Sequence, residues 1–198
     1  MTKPPLSLLA VAAALSLAGC VNLSPKPPAN LMALSATTPL AAGPTRITDD
    51  KAAISIAPLT AISSLANTRV LVTNGPTAMA YLKGGAWTAP PAGLFRSLLA
   101  ETITVRTGRV VPEPRQQAVQ PNTRLFGQLS AFGLDGPGFA AVVTFDASIA
   151  RTGSDKLEAR RFSARVPVTS EDPMTVSTAI NQAANQVAAE VADWVGKP

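Results

Sequence analysis

Histidine is absent from this 198-residue chain and cysteine occurs once, at Cys20. Both facts exclude chemistry. Histidine is the usual general base near neutral pH and the commonest zinc ligand, so its absence removes Ser-His-Asp and Cys-His nucleophile pairs. A single cysteine cannot form an intrachain disulfide. The 12 acidic residues are scattered, with neither metal-ligand nor paired-acid spacing. Phosphate loops are missing as well: Gly84-Gly85 and Gly133-Leu134-Asp135-Gly136 match neither a Walker motif nor a dinucleotide fingerprint. Ser-Lys and lone-carboxylate chemistry are all that remain open to an enzyme. The reading is of a non-catalytic protein without cofactor or metal. No block of five or six like charges occurs, so the mild net charge of +5 is no nucleic-acid footprint.

No apolar run is long enough to span a bilayer, which takes roughly 20 residues. The run that exists, Leu6 to Ala18, is 13 residues long, follows Lys3 and ends in small residues. That pattern predicts a secretory signal over residues 1–19. Its ending, Leu17-Ala18-Gly19-Cys20, resembles a bacterial lipobox. The resemblance implies cleavage after Gly19 and lipidation of Cys20 as the first mature residue. The plainer alternative is an ordinary signal peptide with a stray cysteine. Residues 1–19 contain one of the 17 basic residues and no acidic one, so the mature chain carries +4.

Residues 20–50 hold Pro25, Pro27, Pro28, Pro39 and Pro44 with no sustained periodicity, and read as a lipidated N-terminus and linker. Within them, Leu31, Met32 and Leu34 are candidates for packing on the domain expected over residues 51–198. Strands are predicted at Ala53–Ala57, closed by Pro58, at Thr68–Thr73, and at Ala78–Leu82 after an Asn74-Gly75-Pro76 turn, closed by Gly84-Gly85. Pro90-Pro91 opens a helix ending near Gly108, with Leu94, Leu98, Thr102 and Val105 on one face and Phe95, Leu99 and Ile103 flanking it. Arg109–Pro112 reads as a short edge strand and Glu113–Pro121 as a loop.

Three longer strands, Arg124–Phe132, Phe139–Arg151 and Leu157–Val168, are spaced as an antiparallel meander. The final helix has Asp172 as N-cap, Pro173 at its first position, apolar residues from Val176 to Trp194 at helical spacing, and Gly196 as its stop. The expected class is α+β: two layers, with an antiparallel sheet and two main helices packed on one face.

Only nine residues are aromatic, which draws attention to Tyr81 and Trp87 beside the Gly84-Gly85 turn. Tyrosine and tryptophan are enriched at interfaces, so both are candidates for partner contact. The competing and favoured reading is that they fill the core. Arg96, Arg106, Arg109, Arg115 and Arg124 form a candidate basic patch, against the favoured reading of a solvated face. Arg151, Arg160, Arg161 and Arg165 read as ordinary strand residues.

The order of these pieces carries a family resemblance. A lipobox precedes Ile54-Ser55-Ile56-Ala57-Pro58, then Thr68-Arg69-Val70-Leu71-Val72, then Met79-Ala80-Tyr81-Leu82, then Trp87 and Pro90 before a Leu-rich helix. A meander and an Ala-rich helix ending in Ala192-Asp193-Trp194 follow. Over about residues 17–195 the chain resembles the ABC-type transport auxiliary lipoproteins, the PqiC-like lipoproteins. Ala86 and Ala89 stand where that family commonly has an Arg and an acidic residue. The resemblance implies a periplasmic subunit, anchored in the outer membrane through its N-terminal lipid. Its implied partners are an MCE-domain protein and an ABC-type permease and ATPase that move lipid between membranes, and it implies a homo-oligomer around the conduit. No nucleic acid is expected as a partner. The alternative from another class is a general envelope lipoprotein that assists outer-membrane assembly or binds the cell wall.

Overall fold

The computed structural model describes residues 30–43, 45–113 and 120–196. Gly19, Cys20 and Arg115 lie outside the described residues. Ten strand and helix elements follow one another: β1 (Asn30–Met32), β2 (Ile54–Ile56), β3 (Thr60–Ala61), β4 (Arg69–Asn74), β5 (Ala78–Trp87), α1 (Pro91–Thr107), β6 (Thr123–Asp135), β7 (Ala140–Arg151), β8 (Leu157–Pro167) and α2 (Pro173–Val195). A short 3-10 turn, Ser63–Leu65, lies between β3 and β4.

The eight strands form one sheet in the order β1-β5-β4-β6-β7-β8, with β2 and β3 also on β6. The α+β class holds, and the helices cover one face. The sheet is mixed, however, where the sequence predicted antiparallel pairing. β6, β7 and β8 form the expected meander, with Phe145 opposite both Leu129 and Phe162. Along the other edge of β6, three short strands run parallel to it: β2 beside Thr123–Leu125, β3 beside Gln128–Leu129, and β4 beside Gly133–Asp135. Pro58 and the 3-10 turn divide what would otherwise be one strand. A parallel pair requires a crossover, and β5 with α1 supplies it between β4 and β6.

β5 runs through Gly84-Gly85 to Trp87, although the glycines were expected to end it. Its register against β4 shifts between Arg69 and Leu71, which face Ala86 and Tyr81, so β5 bulges over Leu82–Gly85. Gly84 takes the left-handed conformation, at φ 81°, that makes this bulge possible. A Cβ on Gly85 would lie 3.0 Å from Pro173 and 3.1 Å from Met32, so the glycine lets the start of α2 and β1 close over the bulge.

The core is continuous between sheet and helices. In β7, Ala141, Val143, Phe145, Ala147 and Ile149 are buried while the residues between them are not, which follows from the two-residue alternation of a strand. α1 buries Phe95, Leu98, Leu99 and Ile103; Leu94, Thr102 and Val105 are only half-buried, so the buried stripe is turned by one residue from the predicted face. α2 buries Val176, Ile180, Ala183, Val187 and Val191 as predicted, and its alanines allow a close approach to the sheet. Asp172 caps it, accepting from the Met174 and Thr175 N–H groups at 3.1 and 3.0 Å. No described helix is long and apolar enough to cross a membrane.

The two helices run in the same direction. Their C-termini meet at the end of the sheet where β6 begins; there the Arg106 guanidinium forks onto Asp193 at 2.9 and 2.7 Å, and a Cβ on Gly196 would touch Thr107. The other end carries the β4–β5 turn, the β6–β7 turn, the last residues of β8 and the first turn of α2. These are called the lower and upper ends below.

Residues 33–43, expected as linker, lie across the outside of the helix layer. The Ser35 N–H donates to Asn181 Oδ1 at 3.0 Å and the Thr37 N–H to Asn185 Oδ1 at 2.8 Å. Asn185 Nδ2 donates back to the Ser35 carbonyl at 2.9 Å, and the Leu40 N–H donates to Glu101 Oε1 at 2.7 Å. Upstream of this strap, β1 pairs in parallel with β5 and buries Met32. Downstream, Asp50 accepts from the Asn122 and Gln120 N–H groups at 2.7 and 2.8 Å, closing the lower end. The strap thus crosses from the upper to the lower end before β2 enters the sheet.

Candidate functional site

Trp87 and Tyr81 part company in the structure. Trp87 is 1% exposed and packs edge-on against Phe132 at a centroid distance of 5.4 Å. Phe132 in turn meets Phe95, and Phe95 meets Phe145 at 5.2 Å, so Trp87 ends an aromatic chain through the core. Its Nε1 is buried with no hydrogen-bond partner among the described residues. In the single chain it offers no surface to a partner. The bulge of β5 is what turns it inward. Tyr81 is half-buried: its hydroxyl accepts from Asn67 Nδ2 at 3.2 Å and donates to the Ser64 carbonyl at 3.3 Å, and the Arg69 guanidinium lies 3.6 Å from its ring centroid.

The described arginines of the candidate patch all make contacts within the fold. Arg96 pairs with Glu113 and donates to the Ile56 carbonyl at 3.3 Å. Arg106 holds Asp193. Arg109 donates to the carbonyls of Lys51, Ala52 and Ala53 and to Thr123 Oγ1, tying the segment that leads into β2 to the start of β6. Burial, and then the neighbouring charge of Arg151, push its pKa below the usual arginine value. Arg124 lies over the Phe126 ring at 5.4 Å. The solvated-face reading holds for exposed Arg124 and is refined for Arg96, Arg106 and Arg109, which lock segments together.

On the helix-free face of the sheet, charges pair across strands. Asp146 of β7 faces Arg161 of β8, with bonds of 2.5 and 3.0 Å. Asp135 pairs with Arg165 at 2.5 Å and Thr144 shares a hydrogen bond with Ser163; the Arg151–Glu158 pair lies on the other face, at the lower end and in line with Ile149 and Phe162. Hydrogen bonds from their arginines, first among the causes, hold both Asp135 and Asp146 below the usual carboxylate range. Beside these pairs, an apolar cleft of about 240 Å³ opens between Ile62, Leu71, Met79, Ala131 and Val142, floored by Gly133. A Cβ at Gly133 would strike the Leu71 carbonyl oxygen, so only glycine allows β4 to lie this close to β6.

Two features escaped sequence reasoning. Asn181 and Asn185 clasp the strap; a four-residue Asn spacing on the outer face of a helix, where Asn is a weak helix former, is the signal that could have found them. Phe139 takes φ 41°, a left-handed conformation rare for a bulky residue, and no sequence pattern marks it. Among the described residues no cluster of three or more metal-ligating side chains forms.

Fold and surface together define a two-layer α+β domain in which the polar side chains singled out above serve cross-strand pairing, capping and strapping. Residues 33–192 match the family described as the ABC-type transport auxiliary lipoprotein component. The chain belongs to that family. Among solved structures, a protein from Xanthomonas campestris assigned to DUF330 is 20% identical, with a TM-score of 0.68 over 83% of this chain and 93% of its own. A second, described as an uncharacterized protein, is 14% identical with a TM-score of 0.66, over 84% of this chain and 97% of its own. Both share the fold. No curated protein matches the sequence.

Proposed function

We propose that this chain is a non-catalytic subunit, anchored by acyl chains on Cys20 to the periplasmic face of the outer membrane, that docks an MCE-domain protein. A permease and ATPase of ABC type drive the lipid movement that this assembly serves, and the subunit works as a homo-oligomer around the conduit. The observation that carries the reading is the family match across residues 33–192. Three features of the chain support it. Leu17-Ala18-Gly19-Cys20 gives a lipidation site at the end of a signal. Val21 follows Cys20, where an Asp would favour retention in the inner membrane. The polar side chains resolved in the site serve architecture, leaving surface shape rather than reactive groups for a partner to recognise.

Each buried methylene of an acyl chain contributes about 0.8 kcal/mol, and one chain alone anchors weakly, so several chains give firm attachment. Cys20→Ala should therefore move the protein from the outer-membrane fraction to the soluble periplasm, with its circular dichroism unchanged. Retention of the variant in the membrane fraction would contradict the anchor.

A further inference from the structure

Nine residues, 21–29, lie between Cys20 and the first residue of β1, Asn30, a path of ten residue steps. Fully extended, ten residue steps span at most about 35 Å. The sheet is longer than this reach: the 12 residues of β7 alone cover about 40 Å. Where the tether joins the domain therefore decides which end faces the bilayer. Asn30 pairs with Gly85, and Gly85 lies under Pro173 in the first turn of α2, which places the junction toward the upper end.

That end also carries most of the exposed large apolar side chains among the described residues. Leu31 is 68% exposed, Met79 57%, Met174 55% and Phe139 53%. They sit on neighbouring segments. Met79 faces Thr73, whose carbonyl accepts from Gly136 in the turn that leads to Phe139. The Phe139 carbonyl accepts from Val168, just before α2, and Met174 lies in the first turn of α2 beside Val168. Leu31 is in β1, beside the tether junction.

Phe139 adds an independent observation. Its φ of 41° is a costly conformation for a bulky side chain, and the ring gains little packing in return because it projects into solvent. A strained, outward-facing aromatic next to exposed methionines fits a surface that meets an apolar medium. The charged side chains near this end balance in sign: Lys83, Glu171 and the Asp135–Arg165 pair beside Gly138, while Asp172 is engaged in capping α2. The contact is thus apolar and does not select anionic headgroups.

We infer that the upper end of the domain, through Met79, Phe139 and Met174 with Leu31 beside them, dips into the interface of the same lipid bilayer that holds the acyl chains. This rests on the anchoring of Cys20 proposed above. The lower end, with Arg109, Arg124 and the two helix C-termini, then points away from that membrane.

The test uses the full lipidated chain in phosphatidylcholine vesicles containing a spin-labelled lipid. With Cys20 acylated, an introduced cysteine is the sole free thiol, and a fluorophore is placed through Met79→Cys, Met174→Cys or, at the lower end, Leu157→Cys. Flotation is measured first. The inference expects vesicle-bound protein whose Met79→Cys and Met174→Cys labels are blue-shifted and quenched by the lipid, while the Leu157→Cys label is not. Adding Phe139→Gly, which relieves the backbone strain, should reduce that quenching without lowering the urea midpoint. Protein that floats with unquenched upper labels, or with equal quenching at both ends, overturns the orientation but leaves the anchor standing. Upper labels that are unquenched in vesicles yet shielded from aqueous iodide in native envelopes overturn it in favour of a protein partner. Protein that does not float overturns the anchor and this inference with it.

Discussion

Trp87 shows how a residue singled out for its chemistry can serve architecture instead. Its ring closes the end of the Phe132–Phe95–Phe145 stack, and its Nε1 has no acceptor among the described residues. The indole therefore contributes packing rather than a hydrogen bond. Trp87→Ala should lower stability by about 3–5 kcal/mol, as expected for emptying a large core site. Trp87→Phe should cost clearly less, because no bond is lost and most of the apolar volume stays. Urea unfolding in detergent, followed by circular dichroism, separates the two; equal loss in both variants would contradict the account. Sequence could place Trp87 near a Gly-Gly pair but could not orient it. Orientation comes from the bulge at Leu82–Gly85, over which Pro173 packs from almost ninety residues further along the chain.

Among the elements, those with strong local signals were legible. The meander announces itself through alternation in Ala141–Ala147, and α2 through its Asp172 cap and its long apolar stripe. Both encode their structure within one or two turns or pleats. The parallel strands β2, β3 and β4 were less legible, since their pairing depends on the distant edge of β6 and on the crossover through α1. The face of α1 was misplaced by one residue because leucines occur on both sides of the buried stripe. The strap was the hardest to foresee. Its residues have no periodicity, and their order comes from side chains of α2 about 150 positions away, at Asn181 and Asn185. Asn185→Ala removes the bonds to Ser35 and Thr37 and should cost about 1–2 kcal/mol locally. Amide exchange at Thr37, whose N–H loses its acceptor, should then quicken while exchange in β7 stays slow. Unchanged exchange in the strap would mean that the asparagines do not hold it.

At the scale of the whole molecule, the domain has two unlike ends. The upper end joins the tether and exposes Met79, Phe139 and Met174; the lower end is closed by Asp50, Arg109 and the paired helix termini. Between them, one sheet face is covered by helices and strap, and the other carries cross-strand ion pairs beside an apolar cleft. Such a body suits a subunit that is fixed at one end and recognised at another. The signal and lipobox that suggest fixation were readable from a few residues, because lipidation is specified by local sequence. The apolar upper end was not, since Met79, Phe139 and Met174 come from segments that meet only in the fold. The central claim is that this lipoprotein serves a transport system, and chemical crosslinking of intact envelopes followed by affinity capture of the full chain tests it most directly. The account predicts that an MCE-domain protein, with its permease and ATPase, is recovered with the wild-type chain and much less with Cys20→Ala. Recovery of outer-membrane assembly factors or cell-wall fragments, with no MCE-domain protein, would contradict it.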